Sequence, residues 1–211
     1  MTYVLLAGFL LVALAALLLG LELRRAKSRV AKLVERNAEL KRSREALKTQ
    51  AYVDHLTGLS NRALWENRCQ QAIVRAKRNQ TPFAILMVDL DRFKAINDNH
   101  GHAAGDRVLA TVGKRLVESV RAMDTVARFG GDEFVLLIDS VGDREELTRI
   151  GQKLIDMLSQ RVTLGSGAEV SVGGSIGFAI YPEDGDTMEK MLEVADQSMY
   201  QCKTSGLMPL F

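Results

Sequence analysis

Hydrophobic and polar positions follow three different rhythms along this chain, and each predicts a different structure. From Tyr3 to Leu21 every residue is apolar or glycine. At 1.5 Å per residue such a helix reaches about 28 Å, close to the thickness of a bilayer core. A cleaved signal peptide would want a basic start, a shorter apolar stretch and a small-residue cleavage site. Here nothing basic precedes the run, and Glu22-Leu23-Arg24-Arg25 follows it directly. Residues 1–22 therefore read as a transmembrane anchor. Arg24, Arg25, Lys27, Arg29 and Lys32 lie just after it, which predicts a single-pass protein with its C-terminal domain in the cytoplasm.

Between Leu23 and Ala51 the apolar spacing becomes sevenfold. One register sets Leu33, Leu40 and Leu47 at d and Leu23, Val30, Asn37, Arg44 and Ala51 at a. Leucine at d with one Asn at a favours a parallel two-stranded coiled coil, which Arg44 weakens. A solvated single helix with one apolar stripe is the alternative. No Pro or Gly breaks Glu22–Ala51, so residues 23–51 read as a stiff helical linker either way.

From residue 52 to 211 strand-like and helix-like patterns alternate, as in a catalytic-size domain. Phe83–Val88 is a continuous apolar run leading into Asp89-Leu90-Asp91, the pattern of a buried central strand. Phe134–Ile138 follows Gly130-Gly131-Asp132-Glu133, and Val170–Ile180 ends before Pro182. Helical patterns occupy about 92–99, 104–120, 143–160 and 187–203. The fold class is therefore α/β, an α+β sandwich with a central sheet flanked by helices.

Charge changes this picture only locally. The chain carries +2 overall, yet residues 22–50 hold ten Lys and Arg against four Glu. The rest is thus mildly acidic, and nucleic-acid binding does not follow. Cys69 and Cys202 lack metal-ligand spacing and fit a reduced compartment.

Candidate chemistry collects at two strand ends. Asp89 and Asp91, two apart on a strand, share a face where the strand emerges. Gly130-Gly131 permits a tight turn that presents Asp132 and Glu133 at a hairpin tip. If the strands are neighbours, Asp89 and Asp132 converge, and two carboxylates plus phosphate oxygens suit Mg²⁺. Each pair alone reads equally as turn acids. Lys94, Asn97 and Asp106 lie in a polar, Gly-rich stretch. An Asn and an Asp there can accept from guanine N–H donors, and Lys94 can reach a phosphate. A loop with two helix caps fits the same stretch.

Arg128-Phe129-Gly130-Gly131-Asp132-Glu133-Phe134 is the signature string of the GGDEF family. Asp54–Arg62 resembles that family's opening motif, Asp89–Asp106 its metal and guanine segment, and Ala195–Lys203 its closing helix. The resemblance covers about residues 52–206. It implies a fold similar to the palm of class III nucleotide cyclases and polymerases. It also implies a diguanylate cyclase that condenses two GTP into cyclic di-GMP and two pyrophosphates, in a bacterial inner membrane. By position, Asp89, the Leu90 carbonyl and Asp132 would bind Mg²⁺, with Mn²⁺ as a substitute. Asp132 and Glu133 would help deprotonate the attacking hydroxyl. Asn97 and Asp106 would read guanine, His102 would line the pocket, and Lys94 and Lys203 would contact the triphosphate. Two domains would meet across a two-fold axis as a homodimer. Arg121 and Asp124, five residues or more before the glycine pair, match the family's product-inhibition site; on spacing alone they read as a solvated pair closing a helix. One departure stands out: Leu207 replaces an arginine of the closing motif. A catalytically silent receptor for GTP or cyclic di-GMP is the competing reading, although the signature has lost neither glycine nor acid.

Overall fold

The structure, a computed structural model, describes residues 51–205 together with 27, 29, 32–37 and 39. The chain divides into two units, Met1–Thr49 and Gln50–Phe211. In the first, every described residue is helical, and Leu33 and Val34 are exposed. Leu40 and Leu47 of the sevenfold pattern lie outside the described residues. So does the apolar run Tyr3–Leu21, on which the inner-membrane location with a cytoplasmic catalytic domain rests. That location is corrected here: among the described residues no helix is long and apolar enough to cross a membrane. The long described helices are two-faced, apolar on one side and charged on the other, which is the pattern of packing on a sheet.

The second unit is built on a five-stranded sheet. Its strands are β1 (Ser60–Asn61), β2 (Phe83–Asp91), β3 (Thr125–Gly130), β4 (Glu133–Ile138) and β7 (Gly173–Tyr181), in the order β1-β3-β4-β2-β7. Only β1 and β3 run parallel; the other neighbours are antiparallel. A small second sheet pairs β5 (Val162–Thr163) with β6 (Glu169–Val170). The helices are α1 (Arg62–Asn79), α2 (Phe93–His100), α3 (His102–Ser119), α4 (Arg144–Leu158) and α5 (Met188–Ser205).

β2 is an interior strand between β4 and β7, and its apolar run needs cover on both faces. Alternation sorts its side chains. Ala84, Leu86, Val88 and Leu90 join Val108, Val112 and Leu116 of α3 and Leu147, Leu154 and Leu158 of α4 in one core. Phe83 and Ile85 join Trp65, Cys69 and Ala72 of α1 and Met191 and Ala195 of α5 in the other. The result is a three-layer sandwich, α3/α4 on one face and α1/α5 on the opposite. Each fully buried aliphatic side chain contributes about 1.5–3 kcal/mol. On β7, Gly177 lets α5 approach very closely: a Cβ there would sit 2.1 Å from the Met199 nitrogen and 2.2 Å from the Ala195 oxygen.

The expected helices and the strands at 83–91 and 134–138 are present within a few residues. The expected strand Val170–Ile180 is divided, because Val170 pairs with Val162 whereas β7 starts at Gly173. Four elements escaped the sequence reading: α1, β3 and the two-residue strands β1 and β5. α1 is rich in Arg and Asn, yet Asn61 Oδ1 caps it by accepting from Leu64 N at 3.1 Å, and Trp65, Cys69, Ala72 and Ala76 form its buried stripe. β3 carries Arg128 in mid-strand, which hides its period.

Candidate active site

The site forms where β2 ends beside the β3–β4 turn. The two strands are neighbours: Asp89 pairs with Glu133, and the Leu90 N–H donates to the Asp132 carbonyl at 3.3 Å. The sequence expectation that Asp89 and Asp132 converge holds in the backbone register. The ladder between β3 and β4 shifts between Arg128 and Gly130, and Gly130 and Gly131 both have positive φ. This turn lifts Asp132 off the strand and leaves Glu133 as the first residue of β4.

Arg128 fixes the turn. Its Nε and Nη2 donate to the Gly131 carbonyl at 3.0 and 2.8 Å, and Nη1 donates to both Asp54 oxygens at 3.2 and 3.3 Å. Asp54 also accepts from the Thr57 hydroxyl at 2.6 Å and the Thr57 N–H at 2.9 Å. Burial alone would push the Asp54 carboxyl up, but the Thr57 hydrogen bonds and the Arg128 charge outweigh it and hold it below the usual range.

The acids around the turn lie close together. Asp89 is largely buried, and Lys203 Nζ donates to its Oδ1 at 2.6 Å. Lys203 is held above its usual value, first by that hydrogen bond and then by the charges of Asp89, Asp91 and Asp132, against the opposing effect of burial. Glu133 is pushed up by burial of its carboxyl, then by Asp89, Asp132 and Asp196, with Arg62 opposing. Asp91 shares the face of Asp89 but accepts from the Ser175 hydroxyl at 2.8 Å. It therefore supports β7.

An all-oxygen donor set suits a hard divalent cation. Asp89, the Leu90 carbonyl and Asp132 are the oxygens expected to supply one, and no hydrogen-bond donor among the described residues reaches the Asp132 carboxylate. Among the described residues no group of three or more His, Cys, Asp or Glu forms a metal cage. Two carboxylates and a carbonyl fit Mg²⁺, which keeps water and phosphate oxygens in its remaining positions.

The polar stretch after β2 is a corner between α2 and α3, hinged at Gly101. Lys94 and Asn97 are on α2; His102 and Asp106 are on α3, where all but Asn97 are exposed. Gly105, just before Asp106, faces Asn97 so closely that a Cβ would sit 2.0 Å from Asn97 Oδ1. The two residues expected to read guanine thus share one corner. Arg121 and Asp124 are at the opposite end of the β3–β4 hairpin. There Asp124 Oδ2 accepts from the Arg121 N–H at 2.8 Å, Oδ1 accepts from the Asp139 N–H at 3.0 Å, and Arg121 Nη2 lies 3.3 Å from Glu146. Leu207 lies outside the described residues.

Sequence reasoning assigned no role to Arg128, Asp54 or Gly105. All three sit inside quoted motifs, which was a signal, but the pairing of Arg128 with Asp54 spans 74 positions.

Fold and site together make an α/β sandwich with acids gathered where an interior strand ends and a lysine paired with one of them. The family description "Diguanylate cyclase, GGDEF domain" matches residues 51–208, and the chain belongs to that family. MucR of Pseudomonas aeruginosa, a bifunctional diguanylate cyclase/cyclic di-GMP phosphodiesterase, is 44% identical over 167 residues, 79% of this chain and 24% of its own length. The diguanylate cyclase TpbB of the same species is 40% identical over 166 residues, 79% of this chain and 38% of its own. The chain thus spans well under half the length of these relatives. The solved GGDEF domain of TpbB superposes with a TM-score of 0.70 at 40% identity, covering 72% of this chain and 89% of that one. The coiled coil and GGDEF domain of DgcB from Caulobacter crescentus, in complex with c-di-GMP, gives 0.73 at 27%, covering 83% and 94%.

Proposed function

We propose that this chain is a diguanylate cyclase that joins two GTP molecules into cyclic di-GMP and releases two pyrophosphates. The observation that carries this reading is the meeting of Asp89, the turn acids and Lys203 at one strand end, with Lys203 Nζ 2.6 Å from Asp89. The name of TpbB as a diguanylate cyclase supports it.

In this reading Asp89, the Leu90 carbonyl and Asp132 hold Mg²⁺ or Mn²⁺. A bound ion of this kind lowers the pKa of an attacking hydroxyl and steadies the leaving pyrophosphate. Lys203 exchanges Asp89 for a phosphate oxygen, and Lys94 approaches the triphosphate from α2. Asn97 and Asp106 accept from guanine N–H groups, and His102 lines the same corner. The 3′-hydroxyl loses its proton toward Glu133 or Asp132. Its oxygen bonds to the α-phosphorus of the second GTP as the bond to pyrophosphate breaks. The raised Glu133 carboxyl makes it a better proton acceptor than an ordinary glutamate.

Each chain has one such set, so the two linkages of cyclic di-GMP require two chains related by a two-fold axis. The helical linker, residues 23–51, would pair them in parallel and raise the effective concentration of the second half-site. Product feedback is assigned to Arg121 and Asp124, with Arg121 releasing Glu146 to grip a phosphate or a guanine edge. Incubating the purified chain with GTP and Mg²⁺ tests the reading. Cyclic di-GMP should accumulate; a folded chain that binds GTP and makes none is a receptor.

A further inference from the structure

α2 has two sides. At about 100° per residue, Lys94 and Asn97 fall on the side of the guanine corner, and Ala95, Ile96 and Asn99 fall on the opposite one. On that opposite side, between α2 and the segment 170–173 that leads from β6 into β7, lies a groove of about 550 Å³. The volume is in the range of small-molecule sites. Ala95, Ile96 and Val170 give the groove an apolar lining, and Arg92, Asn99, His100 and Ser171 give it polar groups. All four polar side chains are exposed. None of them has a hydrogen bond or ion pair among the described residues.

Arg92 is the cation of this groove, and its backbone is strained. It holds the left-handed conformation at φ 58° and ψ 22°. That conformation costs an L-residue about 1 kcal/mol or more and costs glycine nothing. No contact of the guanidinium among the described residues offsets the cost. The neighbouring acid does not pair with it. Asp91 is turned to β7, where Oδ1 accepts from the Ser175 hydroxyl at 2.8 Å and Oδ2 would sit 3.1 Å from a Cβ at Gly173. A strained residue whose side chain is left uncommitted beside a groove points to a ligand.

We propose that the groove behind α2 binds a mononucleotide, at a site separate from the one that takes the substrate. The Arg92 fork receives the phosphate through paired N–H donors. Sugar and base lie along Ala95, Ile96 and Val170, and Asn99, His100 and Ser171 bond to the ribose hydroxyls and the base edge. Arg92 and His100 stand about 12 Å apart along α2, so phosphate and base edge are held at opposite ends of the groove. A neutral ligand would leave the arginine as unused as it is without one; a phosphate ester uses both the cation and the apolar lining. The proposal goes beyond the cyclase reading and does not depend on turnover.

The test uses the full chain saturated with Mg²⁺ and 3′-deoxy-GTP, which lacks the attacking hydroxyl and fills the substrate site. Binding of AMP, UMP and inorganic phosphate to this loaded protein is followed by titration calorimetry. At least one of the two nucleotides should bind, about tenfold or more tighter than inorganic phosphate, because base and sugar cover the apolar lining. Arg92→Gly should weaken that nucleotide about tenfold or more, through loss of a charge-assisted hydrogen bond. Its melting temperature should hold or rise, since glycine relieves the left-handed strain, and its affinity for 3′-deoxy-GTP should stay within about twofold of the parent. His100→Ala should weaken the nucleotide about two- to fivefold. Failure of both nucleotides to bind the loaded parent at millimolar concentration overturns the site. Inorganic phosphate bound as tightly as either nucleotide also overturns it, since that is an ion on an exposed arginine only. So does parent-like nucleotide affinity in Arg92→Gly. Loss of 3′-deoxy-GTP affinity in that variant assigns Arg92 to the substrate phosphates and overturns the site as well. A parent that binds the nucleotide but makes no cyclic di-GMP overturns the cyclase reading alone.

Discussion

The β3–β4 hairpin has an aspartate at each end, and the two are used in opposite ways. At the far end both oxygens of Asp124 accept backbone N–H groups, from Arg121 and from Asp139, so the carboxylate closes the hairpin. At the turn end the Asp132 carboxylate has no donor among the described residues, and closure falls to Arg128, which bridges the Gly131 carbonyl and Asp54. A carboxylate that supports the backbone is satisfied where it stands. One relieved of that task keeps its lone pairs for a ligand, and crowding it against Asp89 and Glu133 is costly until a cation arrives.

The sharpest way to break this contrast is Asp132→Asn. Turnover should fall about 10³-fold or more, because several kcal/mol of charge stabilisation is lost. The melting temperature should hold or rise, since the change removes repulsion. Wild-type turnover, or a marked loss of stability, would mean that Asp132 is a structural acid after all.

Asp124→Ala should do the reverse. Two N–H groups lose their acceptor, at a cost of about 1–3 kcal/mol, while turnover per folded molecule stays within about threefold. Chemical denaturation with a parallel rate assay checks both halves.

Asp54→Asn probes the clasp that frees Asp132. The folded-state carboxyl lies below its ordinary value, so its contribution is present above the usual carboxylate range and fades as pH falls through the lowered value. The variant should therefore lose stability at pH 7, by about 1–2 kcal/mol, and match the parent in strong acid. A gap independent of pH would assign the loss to packing.

Arg121→Ala carries the smallest effect on the fold. Its partner Glu146 is a surface pair, so stability should change by about 0.5 kcal/mol or less. Initial rates should hold, and inhibition by added cyclic di-GMP should weaken. Undiminished inhibition would leave Arg121 as a surface arginine.

What the sequence disclosed and what it withheld follow from distance along the chain. The apolar run before Asp89 and the Gly130-Gly131-Asp132-Glu133 string are local patterns, and both the central strand and the hairpin tip were legible from them. The clasp was not, because Arg128 and Asp54 are 74 positions apart, and neither residue type announces a partner. The Lys203–Asp89 contact spans 114 positions and depends on Gly177 seating α5. Gly105 read as one more glycine in a polar stretch; only the corner between α2 and α3 reveals that it makes room for Asn97. β3 was missed because a strand with a functional arginine at its centre loses its alternation. The expected inner-membrane location fails for a different reason: it rested on the apolar run Tyr3–Leu21, outside the described residues, and no described helix is long and apolar enough to cross a membrane.

In the proposed cyclase the turn-end acids would hold a divalent cation and the far-end acid would not. Mn²⁺ binding in the presence of 3′-deoxy-GTP, followed by electron paramagnetic resonance, measures this without turnover. The parent and Asp124→Ala should bind the ion alike, and Asp132→Asn should lose it. Retained binding in Asp132→Asn, or loss in Asp124→Ala, would contradict the account.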